Sequence, residues 1–61
     1  MPIVRVEMIK GRSEDQKAEL AKAITDSMVR IAKAKSEDVF VVFEDVADEN
    51  WAVAGRLVSR R

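Results

Sequence analysis

The segment Val39–Val46, reading Val-Phe-Val-Val-Phe-Glu-Asp-Val, limits what this chain can fold into more than any other stretch. Its β-branched and aromatic residues favour an extended strand. Alternation then puts Val41 and Phe43 on one face and Phe40, Val42 and Glu44 on the other. Both faces carry apolar residues, so both need cover. The chain has only 61 residues, and chains below about 70–80 residues usually rely on disulfides, a metal or partner subunits. It contains no Cys and no His, which removes disulfides and makes a structural zinc site a poor fit. Hydrophobic residues make up 48% of the sequence, too many for a disordered chain. Oligomerisation is the remaining way to bury them.

The rest of the chain supplies the elements around that strand. Pro2 to Ile9 alternates, with Val4, Val6 and Met8 on one face and Ile3, Arg5, Glu7 and Ile9 on the other, which predicts a first strand. Lys10-Gly11-Arg12 breaks the pattern, with Gly11 as the turn residue. Ser13-Glu14-Asp15-Gln16 has the form of a capping box, and Glu14 and Asp15 suit the positive end of a helix dipole. A helix of about twenty residues, ~30 Å long, follows. Leu20, Ile24, Met28 and Ile31 form the stripe expected to face the core. Ala34–Asp38 is the return loop. A strand, a helix of this length and a second strand make a right-handed β-α-β unit, so the strands are parallel neighbours and one sheet face stays bare. Ala47–Asn50 reads as a polar turn, Trp51–Val58 as a short hairpin or arm, and Ser59–Arg61 as a solvated tail. The fold class is α+β, in a single domain over residues 1–61.

Charge narrows the function. Eleven basic residues balance eleven acidic ones, which argues against nucleic acid as a partner. No apolar run approaches the roughly 18–20 residues of a membrane span, and the N-terminus lacks a signal-peptide core. The expectation is a soluble, cytoplasmic protein with no membrane partner.

Reactive chemistry concentrates at Pro2. If Met1 is removed, Pro2 gains a secondary amine, and an α-amino group titrates at roughly 7.7–8.0 when unperturbed, close enough to neutrality to act as a base. While Met1 is attached, that nitrogen is a tertiary amide without usable basicity. Trp51, the single Trp, reads as a packing anchor under the arm or at a subunit contact.

Met1-Pro2-Ile3, Gly11-Arg12-Ser13 followed by Glu14-Asp15-Gln16-Lys17, the helix, the second strand and Asn50-Trp51-Ala52-Val53-Ala54-Gly55 together resemble the tautomerase superfamily, specifically its short-chain 4-oxalocrotonate tautomerase group. The resemblance covers nearly the whole chain. It implies a β-α-β subunit that pairs into a four-stranded sheet with two helices, and three such dimers in a hexamer of identical chains or of two similar ones. It also implies that the N-terminal proline, here Pro2, is the general base that moves a proton between an enol oxygen and a carbon of a small-molecule carboxylate. The arginine of the Gly-Arg-Ser turn, here Arg12, binds a substrate carboxylate, and an aromatic near the C-terminal hairpin lines an apolar wall. Trp51 stands there, where the best-known members have phenylalanine. No metal or organic cofactor is implied.

Those roles are physically coherent. A guanidinium and an apolar wall both disfavour an ammonium, so each lowers the amine's pKa. Arg12 can grip a carboxylate with two hydrogen bonds and stabilise the dienolate. One departure matters. Members that isomerise hydroxymuconate carry a second arginine on the second strand, and here Phe40 occupies that position. A weaker activity on dicarboxylates follows, with a preference for a monocarboxylate such as an aryl enolpyruvate. Two other readings stand beside this one. The same fold could run a hydration or hydrolytic dehalogenation, with Glu44, Asp45, Asp48 or Glu49 activating water, or it could be a non-catalytic oligomeric scaffold.

Overall fold

Alternating β-branched residues form the first strand, β1 (Ile3–Ile9), in a computed structural model that describes residues 1–61. Pro2 has no N–H to give to a ladder, so the strand begins one residue later than the alternation indicates. Its carbonyl still accepts from the Phe40 N–H at 3.0 Å. Helix α1 (Glu14–Ala32) opens on the capping box. Ser13 Oγ accepts the Gln16 N–H at 3.1 Å, and the Ser13 N–H donates to Gln16 Oε1 at 2.9 Å. The helix ends where Lys33 turns left-handed, at φ 60°, which lets the Ala34 N–H reach the Met28 carbonyl at 3.3 Å.

The chain returns through a single 3-10 turn (Ser36–Asp38) into β2 (Phe40–Val46). β2 lies parallel to β1 in the register Ile3–Phe40, Arg5–Val42, Glu7–Glu44 and Ile9–Val46. Val4, Val6, Met8, Val41 and Phe43 are half-buried under α1, and an ion pair between Lys17 of the helix and Asp45 of β2 spans the same gap. The expected β-α-β unit and its parallel pair are therefore present.

The helix is rotated from the stripe expected above. Its half-buried positions are Lys17, Ala21, Ile24, Thr25 and Met28, while Leu20 and Ile31 are exposed. The cause is the width of the floor. Two strands about 4.8 Å apart offer only a narrow track, so one thin stripe is seated and the apolar flank overhangs it.

After a 3-10 turn at Asp48–Asn50, β3 (Ala52–Val53) and β4 (Arg56–Leu57) form the antiparallel hairpin. Both turn residues have positive φ, 54° at Ala54 and 81° at Gly55, as a type I′ hairpin turn demands. The last residues are not a free tail. Val58–Arg60 forms a further 3-10 turn, closed by the Arg61 N–H on the Val58 carbonyl at 3.3 Å. No helix is long and apolar enough to cross a membrane.

What this subunit lacks is an interior. None of the 61 residues is fully buried. Its solvent-accessible surface is 4886 Å², against about 4,000 Å² for a folded protein of this mass. Its radius of gyration is 14.5 Å, against about 10.5 Å for a compact chain of this length. The face of the sheet away from α1 leaves Ile3 59%, Phe40 46% and Val42 42% exposed. Covering these apolar surfaces with protein would stabilise a chain of this shape, and binding that favours the folded form couples folding to association. Thermal unfolding followed by circular dichroism should therefore show a melting temperature that rises steadily with protein concentration. A temperature unchanged over a hundredfold dilution would contradict the coupling.

Candidate active site

β1 determines where the chemistry-bearing residues go. Pro2 precedes its first residue and Arg12 follows its last by three. The strand has seven residues, which at about 3.3 Å per residue puts its ends about 20 Å apart. Pro2 and Arg12 therefore lie at opposite ends of the subunit. Parallel pairing sorts the other two residues in the same way. Phe40 is in register with Ile3 and bonds to the Pro2 carbonyl, so it stands at the proline end. Val46 is in register with Ile9, so the chain leading to Trp51 leaves the sheet at the arginine end.

Each end is held by its own contacts. At the proline end, Pro2 is half-buried and Phe40 is exposed on the open face. Arg12 sits in the four-residue link between β1 and α1, which is fixed at both sides. The Lys10 N–H donates to the Val46 carbonyl at 2.9 Å, the Ser13–Gln16 capping box anchors the other side, and the Lys17–Asp45 pair braces the helix start against β2. Arg12 itself is exposed, and its Nη1 donates to the Ile9 carbonyl at 3.0 Å. This leaves the remaining guanidinium N–H groups available for an anion. Trp51 is half-buried, with its N–H on the Asp48 carbonyl at 3.3 Å and its carbonyl accepting from the Val58 N–H at 2.9 Å. The indole is thus carried at the base of the hairpin.

The acids considered for activating water are dispersed. Asp45 is committed to Lys17, Glu44 lies on the open sheet face beside Glu7, and Asp48 and Glu49 belong to a 3-10 turn. No group of three or more His, Cys, Asp or Glu is placed to hold a metal ion. The family resemblance singled out Pro2, Arg12, Phe40 and Trp51 one by one. Their division into two ends follows from the parallel register.

A β-α-β subunit with a proline at the head of its first strand and an arginine in the turn after it defines a small tautomerase-type architecture. The family model described as tautomerase enzyme matches residues 2–61. A probable tautomerase of Ralstonia nicotianae is 42% identical over 57 residues, covering 93% of this chain and 88% of that one. The 2-hydroxymuconate tautomerase of Comamonas testosteroni is 40% identical over 55 residues, covering 90% and 87%. Among solved structures, a heterohexameric 4-oxalocrotonate tautomerase from Chloroflexus aurantiacus superposes with a TM-score of 0.90 at 30% identity, covering 97% of this chain and 95% of that one. The chain belongs to the tautomerase family, and its function is of the tautomerase type, that of an isomerase.

The turn carrying Arg12 depends on Gly11, whose φ of 136° has no room for an ordinary side-chain-bearing residue even though a Cβ there would touch nothing. Gly11→Ala should therefore cost about 1–3 kcal/mol through backbone strain alone, read as a lower urea midpoint at fixed protein concentration. A midpoint matching that of the unmodified chain would show that the turn does not require this conformation.

Proposed function

We propose that the protein is a cofactor-independent enol–keto tautomerase of a small 2-hydroxydienoate or enolpyruvate-type 2-oxo acid, with Pro2 as its base once Met1 is removed. The observation that carries this reading is the family match that begins at residue 2, the one residue whose terminal amine can serve as that base. Met1 is 80% exposed. The neutral amine takes the proton of the substrate's 2-hydroxyl group and returns a proton to a carbon of the conjugated chain. The same nitrogen gives and receives, so the amine is regenerated each cycle. Arg12 holds the substrate carboxylate through charge-assisted hydrogen bonds and counters the charge of the dienolate. Trp51 supplies an apolar wall.

In this reading the working unit has more than one chain, because Pro2 and Arg12 of one subunit are too far apart to grip one small molecule. A hexamer built as three dimers agrees with the bare sheet face and the overhanging helix flank. The heterohexamer of the Chloroflexus relative supports an assembly of this kind.

Phe40 sets the substrate class. An aromatic ring there, in place of a guanidinium, leaves a second carboxylate without a counter-charge and offers apolar surface to an aryl group. A monocarboxylate enol is the better fit.

The decisive preparation is one shown by intact mass to have lost Met1. On it, Pro2→Ala should reduce phenylenolpyruvate ketonisation by about 10²-fold or more, the scale of a lost general base. Undiminished turnover would remove Pro2 from the mechanism. Phe40→Arg should raise kcat/KM for 2-hydroxymuconate by about tenfold or more, as one charge-assisted contact is worth, and lower it for phenylenolpyruvate. If neither value moves, Phe40 does not contact the substrate.

A further inference from the structure

The covered face of the sheet ends in a charge. Its rows run Val4–Val41, Val6–Phe43 and Met8–Asp45, so next to the Arg12 turn an aspartate stands where the two rows before it have an apolar residue of β2. The helix answers it. Of its half-buried positions Lys17, Ala21, Ile24, Thr25 and Met28, Lys17 alone is charged, and it pairs with Asp45. A cation near the start of a helix opposes the helix dipole, so helix formation does not account for this lysine. Ala21, the next residue of the stripe, lies about 6 Å further along the axis. The residues before Lys17, Glu14 to Gln16, are exposed. Lys17–Asp45 is therefore the first side-chain tie from α1 to the sheet.

We infer, on the reading of Arg12 as the carboxylate anchor, that Lys17 and Asp45 are positioning residues for it. Their ion pair sets the angle at which α1 leaves the sheet, and so the place at which the guanidinium meets a substrate carboxylate. The link that carries Arg12 bridges two bodies. One side is tied to the sheet by the Lys10 N–H on the Val46 carbonyl at 2.9 Å, and the other to the helix by the capping box. Arg12 belongs to the bridge, so its position is only as well defined as the angle between sheet and helix. Asp45 and Val46 are adjacent, so neighbouring residues of β2 hold both sides of the link. Apolar contact is non-directional, and an apolar pair here would let the helix end slide. A charge-assisted hydrogen bond fixes a direction.

The two side chains are 26% and 38% exposed, and a pair this open to water adds little to stability. Its loss therefore leaves the fold intact and displaces the anchor. Lys22–Asp26, an i,i+4 pair with side chains 78% and 66% exposed, ties nothing to the sheet and serves as the control.

On protein freed of Met1, with phenylenolpyruvate as substrate, Asp45→Asn and Lys17→Met should each raise KM by about tenfold or more while kcat stays within about threefold. The double variant should match either single one to within about twofold. Lys17→Arg should keep KM near that of the unmodified chain, and Lys22→Met should change neither constant. A fall in kcat at unchanged KM would mark a merely structural pair whose loss removes folded enzyme, and would overturn the positioning role. So would a lower KM in Asp45→Asn, which would make the released Lys17 itself the carboxylate ligand. A second readout needs no turnover. By 15N relaxation, the amide order parameters of Gly11 and Arg12 should fall in Asp45→Asn toward the flexible range, below about 0.6, and stay high in Lys22→Met. Order parameters unchanged in Asp45→Asn would overturn the role. Failure of the proposed tautomerase activity alone would leave that fall in place, so the two failures are distinguishable.

Discussion

A parallel pair of short strands crossed by one helix can cover a single side of its sheet, and the rest of this molecule follows from that constraint. The helix seats one thin stripe on the β1–β2 floor, leaving no residue fully enclosed. Hydrophobic stabilisation scales with apolar area removed from water, about 25 cal/mol per Å², and here that area is small beside the conformational entropy of ordering the chain. The exposed Ile3, Phe40 and Val42 and the overhanging Leu20 and Ile31 are the unfilled half of a core. Such a chain gains most from any contact that covers that surface with protein.

The same geometry divides the chemistry. A strand separates the proposed base from the proposed carboxylate anchor by its whole length, and the parallel register carries Phe40 with the first and the approach to Trp51 with the second. The Arg12 turn is correspondingly well held, between a ladder bond from Lys10, a capping box at Ser13 and the Lys17–Asp45 brace. A rigid anchor is of most value when its target belongs to another chain, because no local flexibility can then make up for misplacement.

Much of this was legible in the residues. The capping box placed the helix start, period-two alternation gave β1 and β2, and Gly11 marked the turn. Only Ile24 and Met28 of the expected helix stripe are engaged within the subunit, because a hydrophobic stripe records all the surfaces a helix can cover, whereas one subunit offers only its own two strands. Ala54 hid the type of its turn, since alanine is rarely asked to adopt positive φ and only Gly55 gave a signal. The closing turn at Val58–Arg60 was hidden by its charge, because basic residues suit a solvated turn as well as a loose end. Pro2, Arg12, Phe40 and Trp51 could be named individually, but their separation into two ends appeared only once the strand register was known.

The placement of proline and arginine at opposite ends of one short strand also affects how such genes can diverge. When a gene of this kind is duplicated, one copy is free to let its head decay while the other neglects its tail, provided that the two proteins keep meeting. Division of labour between paralogues is then a short step, and mixed assemblies are its natural product.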